Sequence, residues 1–306
     1  MQHASTVPGY VGLAHAGALG ARAAAAQELL DPCRLCPREC RARRRQGKVG
    51  TCGVAGTALV SSAGPHFGEE RPLVGRRGSG TIFLAGCNLG CIFCQNAEIS
   101  HGRQGSPASP ERLAQTMLAL QDMGCHNINL VTPTHQVPQI LAALAVAAGR
   151  GLRLPLVYNC GGYESVETLE LLEGVIDIYM PDFKYWEAPV GRELSGVPDY
   201  PDVARAAVRE MHRQVGDLVV DGRGVARRGL LVRHLVLPAG LAGTERVMRF
   251  LADLSPDTYV NVMSQYHPRH LAARHPDLSR GVSRQEVAAG VAAARSAGLH
   301  RLDGYV

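Results

Sequence analysis

The sequence predicts an α/β protein with a parallel sheet covered by helices, and three observations carry that prediction. From residue 80 onward, β-branched apolar runs recur, each ends in polar residues or glycine, and each is followed by a helix-like stretch. Parallel strands need crossover connections of this kind. Periodicity leaves open whether the sheet stays open or curls into a barrel, but in both cases ligands belong at the C-terminal ends of the strands.

The elements follow in order. After a polar tail, residues 19–30 (LGARAAAAQELL) have the composition of a short helix. They lead into 33-CRLCPRECRARRRQGKVGTC-52, which proline and glycine punctuate into a loop-rich knuckle. Strands are expected at 81–87, 126–131, 154–159, 175–180, 230–237 and 258–263. Helices are expected near 109–123, 136–149, 165–173, 201–215, 242–254 and 283–297. The chain then divides into a tail and short helix (1–30), a four-cysteine extension (31–60) and a core domain (61–306).

With 46% hydrophobic and 19% charged residues, the 306-residue chain buries a substantial core and is not disordered. No apolar run approaches the roughly 20 residues of a membrane span, and the N-terminus lacks a basic start followed by an apolar core, so a cytoplasmic protein is expected. Nine cysteines is an odd count, and seven of them fall in two tight groups, which favours metal-ligating thiols over disulfides. The net charge of +5 owes much to 41-RARRRQGK-48, a run that is more often a solvated loop than a nucleic-acid surface.

The stretch 86-GCNLGCIFCQN-96 places Cys87, Cys91 and Cys94 just after the first expected strand, one thiolate short of a full metal shell. Gly86 and Gly90 would let backbone wrap closely around a bulky inorganic core. A zinc site completed by a distant histidine, or thiols packed as small hydrophobes, are the alternatives. Asp182, Lys184, Arg233 and His267 lie at or near expected strand ends, where they suit an ammonium and a carboxylate or simply form ion pairs. Cys160 ends a strand and Cys125 begins one at the opposite edge. Tyr163, Tyr185 and Trp186 either line a mouth or cover the edge of the core.

The triplet, with Phe93 before its last cysteine, resembles the signature of radical S-adenosylmethionine (SAM) enzymes. GEERPLVGRRGSGTIFLAGCNLGCIFCQN, NLVTPTH, PLVYNCGGYE, DIYMPDFKYW, VRHLVLPAG and MSQYHP extend the likeness over most of residues 66–270. Within that superfamily the chain looks most like the pyruvate formate-lyase activating enzyme-like proteins, in particular the PflX-like group. The resemblance implies a partial (β/α)6 TIM-like barrel with a small cysteine-rich N-terminal extension. It also implies a four-iron four-sulfur cluster on Cys87, Cys91 and Cys94, with SAM chelating the fourth iron. Asp182 and Lys184 match an Asp-x-Lys motif that contacts the amino-acid part of SAM, and Arg233 and His267 match an arginine and a histidine of those enzymes. Phe93, His135 and Asn159 join them as cofactor-binding candidates. The family commonly has Gly-Gly-Glu after the second strand, where this chain reads Thr132-Pro133-Thr134-His135.

Cys33-x2-Cys36-x3-Cys40-x11-Cys52 offers four thiolates, enough to close a zinc site or a second cluster. The spacing resembles the N-terminal extension of the PflX-like group, and an auxiliary four-iron four-sulfur cluster is expected, with zinc the alternative. The implied activity is reductive cleavage of SAM to a 5′-deoxyadenosyl radical, with an electron donor such as flavodoxin or ferredoxin. The radical would take hydrogen from a glycyl-radical partner enzyme, or from a small molecule or peptide. A reading from another class is a zinc-dependent nucleic-acid-binding protein using the knuckle and its basic run.

Overall fold

A computed structural model of the chain describes residues 7–304. Helices α1 (Gly9–His15) and α2 (Ala18–Glu28) open it. The region before residue 19, expected as a polar tail, contains α1 because tertiary packing overrides its local pattern. Tyr10 is fully buried there and its hydroxyl donates to the Leu154 carbonyl at 2.9 Å. Next comes a loop-rich segment whose one regular feature is a 3-10 turn, Arg44–Gln46.

The sheet-forming part begins with β1 (Ala58–His66), α3 (Arg71–Val74), β2 (Ser79–Leu84), α4 (Ala97–Ser100), β3 (Ser106–Ala108) and α5 (Pro110–Asp122). It continues with β4 (Ile128–Val131), α6 (Val137–Gly149), β5 (Leu156–Cys160), α7 (Val166–Glu170), β6 (Ile178–Pro181), α8 (Ala188–Ser195) and α9 (Tyr200–Val215). The last elements are β7 (Val219–Val220), β8 (Ala226–Leu235), α10 (Thr244–Leu254), β9 (Tyr259–Met263) and α11 (Arg284–Ser296). Helix starts follow local chemistry: Ser109 caps α5 with proline at its first position, and Ser283 and Glu286 form a capping box on α11.

All nine strands form one central sheet in a mixed α/β fold. The six expected strands appear as β2, β4, β5, β6, β8 and β9, side by side, parallel and in chain order. β1, β3 and β7 add antiparallel edges that periodicity did not announce. Among the described residues no ladder joins β9 back to β3. One face of the sheet carries the large core beneath the helices. The other holds a small apolar cluster of Val157, Ile178, Met180 and Leu231 with Leu73, Leu218 and Ala226. On that same face, toward the C-terminal strand ends, Asp182 pairs with Arg233 and Arg233 with Asn261, so the interior turns polar where ligands are expected. Among the described residues no helix is long and apolar enough to cross a membrane.

Candidate functional site

Strand β2 stops at Leu84 and frees the three-cysteine loop at the C-terminal edge of the sheet. The loop turns on Gly86 (φ 86°) and Gly90 (φ 70°), both left-handed. A side chain at Gly86 would stand 2.5 Å from the Cys52 carbonyl oxygen, so only glycine lets this loop meet the N-terminal unit. The Leu89 amide donates to Cys87 Sγ (3.4 Å), and the Ser195 hydroxyl at the end of α8 donates to Cys91 Sγ (3.0 Å). Cys94 Sγ lies 3.1 Å from Ser100 Oγ on α4. The thiols share one environment. Burial, then the neighbouring thiols Cys91 and Cys94, push Cys87 up to about 11. Burial also raises Cys94, an effect that Ser100 and the Lys184 ammonium oppose.

Lys184 therefore reaches this centre. Its Nζ pairs with the Asp182 carboxylate just past β6, and both side chains are largely buried. Burial alone would depress the ammonium, but Asp182 and then the Cys91 thiol hold it above lysine's ordinary value, so it stays charged. Cys87, Cys91, Cys94, Asp182 and Lys184 thus come together at one edge.

The remaining candidates are placed differently. Arg233 is taken up by two glutamates that the sequence reading did not single out. Its Nε and Nη2 donate to Glu70 at 2.6 and 2.7 Å, and Nη2 also bonds Glu69. Asn261 donates to Glu70 (2.8 Å), and Asn159 Oδ1 accepts from Arg233 Nη1 (3.4 Å). Burial would raise Glu70, but the charge of Arg233 together with the hydrogen bonds from Arg233 and Asn261 outweighs it and keeps the carboxyl below the usual range. Phe93 is an anchor, packed edge-on against Tyr185 and Tyr266. His267 is exposed on the segment after β9. Tyr163 and Tyr185 are buried and Trp186 stacks on Phe183, so this trio covers the edge of the core rather than an open mouth.

His135 is buried, and its Nε2 lies 2.8 Å from the Ala85 carbonyl while Nδ1 has no partner. Burial lowers it to about 4, so the ring is neutral and donates from Nε2. It braces the strand end from which the cysteine loop departs. The turn before it is strained: Thr132 has φ 59°, uncommon for a β-branched residue. Cys160 and Cys125 are buried, and Cys160 adjoins the fully buried Glu164 carboxylate.

The four N-terminal cysteines also gather. All four are free thiols; Cys40 senses Cys33, Cys52 senses both, and Cys36 senses Cys52 and Cys33. Glu39 (φ 36°) and Arg41 (φ 58°), both left-handed, flank Cys40. Arg44 departs from the expected solvated run: it is 1% exposed, with Nη1 3.8 Å from Cys33 Sγ and Nη2 donating to the Ala55 and His135 carbonyls at 3.0 and 2.7 Å. No signal in the basic run distinguishes Arg44 from its exposed neighbours. Among the described residues no three His, Cys, Asp or Glu side chains converge on a point suited to a single metal ion. The donor chemistry of both groups, soft thiols on glycine-bent loops, suits a sulfide cluster.

Residues 81–220 match the radical SAM superfamily. Proteins of that superfamily are enzymes that use a four-iron four-sulfur cluster and SAM and draw on an electron donor. The chain is also 32% identical over 272 residues to the uncharacterised protein MJ0674 of Methanocaldococcus jannaschii, a match covering 86% of this chain and 74% of that protein. The thiol triplet falls inside both matches, and residues 81–220 form a radical SAM superfamily domain.

Proposed function

We propose that Cys87, Cys91 and Cys94 hold the four-iron four-sulfur cluster and that Lys184 and Asp182 meet the amino-acid part of SAM beside it. The observation that carries this reading is the Lys184 ammonium lying within electrostatic reach of Cys91 and Cys94 at the C-terminal strand edge. When bound and reduced, the cluster supplies the one-electron cleavage of SAM to methionine and a 5′-deoxyadenosyl radical. The chain's own residues bind and exclude water. Lys184 offers three donors to a carboxylate, and Asp182 offers an acceptor to an ammonium. Arg233, held by Glu69 and Glu70 with Asn159 beside it, and His135, held on Ala85, act as scaffold in this reading, while His267 lies exposed.

The six parallel strands in chain order suit a partial (β/α)6 barrel, with residues 1–30 and 31–60 as its tail and metal-binding extension and 61–306 as its core. Cys33, Cys36, Cys40 and Cys52 hold a second four-iron cluster, with zinc as the competing occupant. Cysteines grouped for metal ligation rather than for disulfides favour a cytoplasmic protein, with flavodoxin or ferredoxin as donor. The likeness to PflX-like activating enzymes points to a glycine of a partner protein as hydrogen source, with a small molecule or peptide as the alternative. Deuterium carried from a labelled partner into 5′-deoxyadenosine separates the two.

Anaerobic purification with iron and sulfide analysis, followed by a 5′-deoxyadenosine assay under reducing conditions, tests the assignment. About eight irons per chain are expected, against about four irons and one zinc for the alternative knuckle. If Cys87→Ala keeps all its iron and cleaves SAM as well as the parent, the assignment is wrong.

A further inference from the structure

Arg38 follows Cys36 by two residues, and its side chain joins the two cysteine groups. Its guanidinium leaves the knuckle and donates to four carbonyls: Asn88 (2.8 Å), Leu89 (2.8 Å), Ser195 (2.9 Å) and Gly196 (3.0 Å). The first two lie between Cys87 and Cys91. The other two close the C-terminus of α8, whose final carbonyls have no partner within the helix. Ser195 in turn donates its hydroxyl to Cys91 Sγ, and the Ile92 amide donates to the Leu194 carbonyl at 2.9 Å. One side chain thus ties together the knuckle, the cysteine loop and the helix that carries a thiol partner.

A second link runs in parallel. Arg44 spans from Cys33 Sγ to the His135 carbonyl, and the His135 ring bonds the Ala85 carbonyl, two residues before Cys87. Between Asp31 and Thr57 the knuckle has no regular structure beyond one 3-10 turn, and it is held by a short backbone pairing of Cys33 with Arg41 and Ala42, by buried Leu35, whose carbonyl accepts from Thr168 Oγ1 (2.7 Å), and by Arg44. In such loop-rich units a bound metal contributes folding energy directly.

We infer that Arg38 is a positioning residue for the three-cysteine loop, and that its hold depends on the four-thiol unit being closed around its own centre. The inference rests on the proposed second centre, not on the chemistry at Cys87. Loading of the N-terminal site then secures the geometry of the other. Lysine cannot substitute, because three donors on a flexible stem do not reproduce a fork that spans four carbonyls.

The test is run in a Cys87→Ala background, which removes the first centre and leaves the second. Hydrogen exchange at residues 88–92 and 195–197 is followed by mass spectrometry, with metal content measured on the same samples. Arg38→Ala is expected to speed exchange there about tenfold or more while the N-terminal metal is retained, and Arg38→Lys not to restore protection. Stripping the N-terminal metal with a chelator should loosen the same residues equally. Unchanged exchange in Arg38→Ala overturns the clamp, and a loop that stays protected after stripping overturns its dependence on the knuckle. A parent that carries neither iron nor zinc at the four thiols tells against the second-centre reading instead, and the Arg38→Ala comparison still decides the clamp.

Discussion

The two cysteine groups have opposite designs. The N-terminal unit gathers four thiols on loop, places the buried cation Arg44 against them, and splits their acidities. Burial lifts Cys36 to about 12, whereas Cys40 falls below the usual thiol value because amides of Ala42 and Thr51, the Cys33 thiol and Arg44 outweigh burial. The second group hangs only three thiols from a strand end and brings in a lysine already paired with an aspartate. A closed set of four suits a resident, structurally important centre. An open set of three beside paired charges suits a centre that receives a ligand.

That contrast breaks most sharply at Cys91. Cys91→Ser is expected to lower 5′-deoxyadenosine formation by about three orders of magnitude or more, with the N-terminal iron retained. Iron counts fall by half if the groups load independently in this direction. Loss of both centres from this single change would show that the triplet also supports the knuckle, and the asymmetry would fail.

Lys184 tests whether the open position is a ligand site. Lys184→Met keeps the unbranched stem one atom short of lysine's tip, removes the ammonium and leaves Asp182 without its lysine partner. SAM binding, followed by titration calorimetry on the anaerobic protein, should weaken by about 10- to 100-fold with iron content unchanged. Equal affinity for SAM would leave Lys184 as a structural ion-pair partner.

Glu70 lies on the sheet side of the molecule and has no contact with the knuckle in this structure. Glu70→Ala strands the Arg233 guanidinium, which is 16% exposed, with Glu69 as its remaining carboxylate. Stability should fall by about 3 kcal/mol, the lower end for breaking a buried pair, while the N-terminal metal stays bound. Thermal unfolding with metal analysis reads both, and an unchanged transition would mean that Glu69 alone suffices.

The parallel strands were legible because they are buried on both faces and read as apolar runs with several β-branched residues, as in 81-TIFLAGC-87 and 175-VIDIYM-180. Strand β1 was not, since ALVSSAGPH has few branched residues, contains Gly64-Pro65, and owes its conformation to β2 and β3 on either side. The triplet was legible because its spacing is local. The partners of Arg233 were not, because Glu69 and Glu70 lie more than 160 residues away in sequence and meet it only through the fold. Arg44 looked like its neighbours in the basic run and only burial sets it apart, whereas Arg38 precedes that run and is set apart by the four distant carbonyls that it reaches.

The last expected effect is at Glu164, whose carboxylate the Cys36 thiol senses. Its carboxyl is buried, accepts from Thr134 Oγ1 (2.7 Å) and Tyr158 OH (2.9 Å), and is raised to about 7 by burial, which those hydrogen bonds and Cys160 only partly offset. A folded value above the unfolded one means that the proton is held more tightly in the native state. The contribution to stability is therefore full below about 4.5, declines as the unfolded chain ionises, and is gone once pH passes about 7. Across that window the native protein should lose on the order of 3 kcal/mol from this group. Glu164→Gln has no proton to lose, so its melting temperature should gain on the parent's between pH 5 and pH 8. Parallel melting curves over that range would show that Glu164 is ionised in the folded protein at neutral pH.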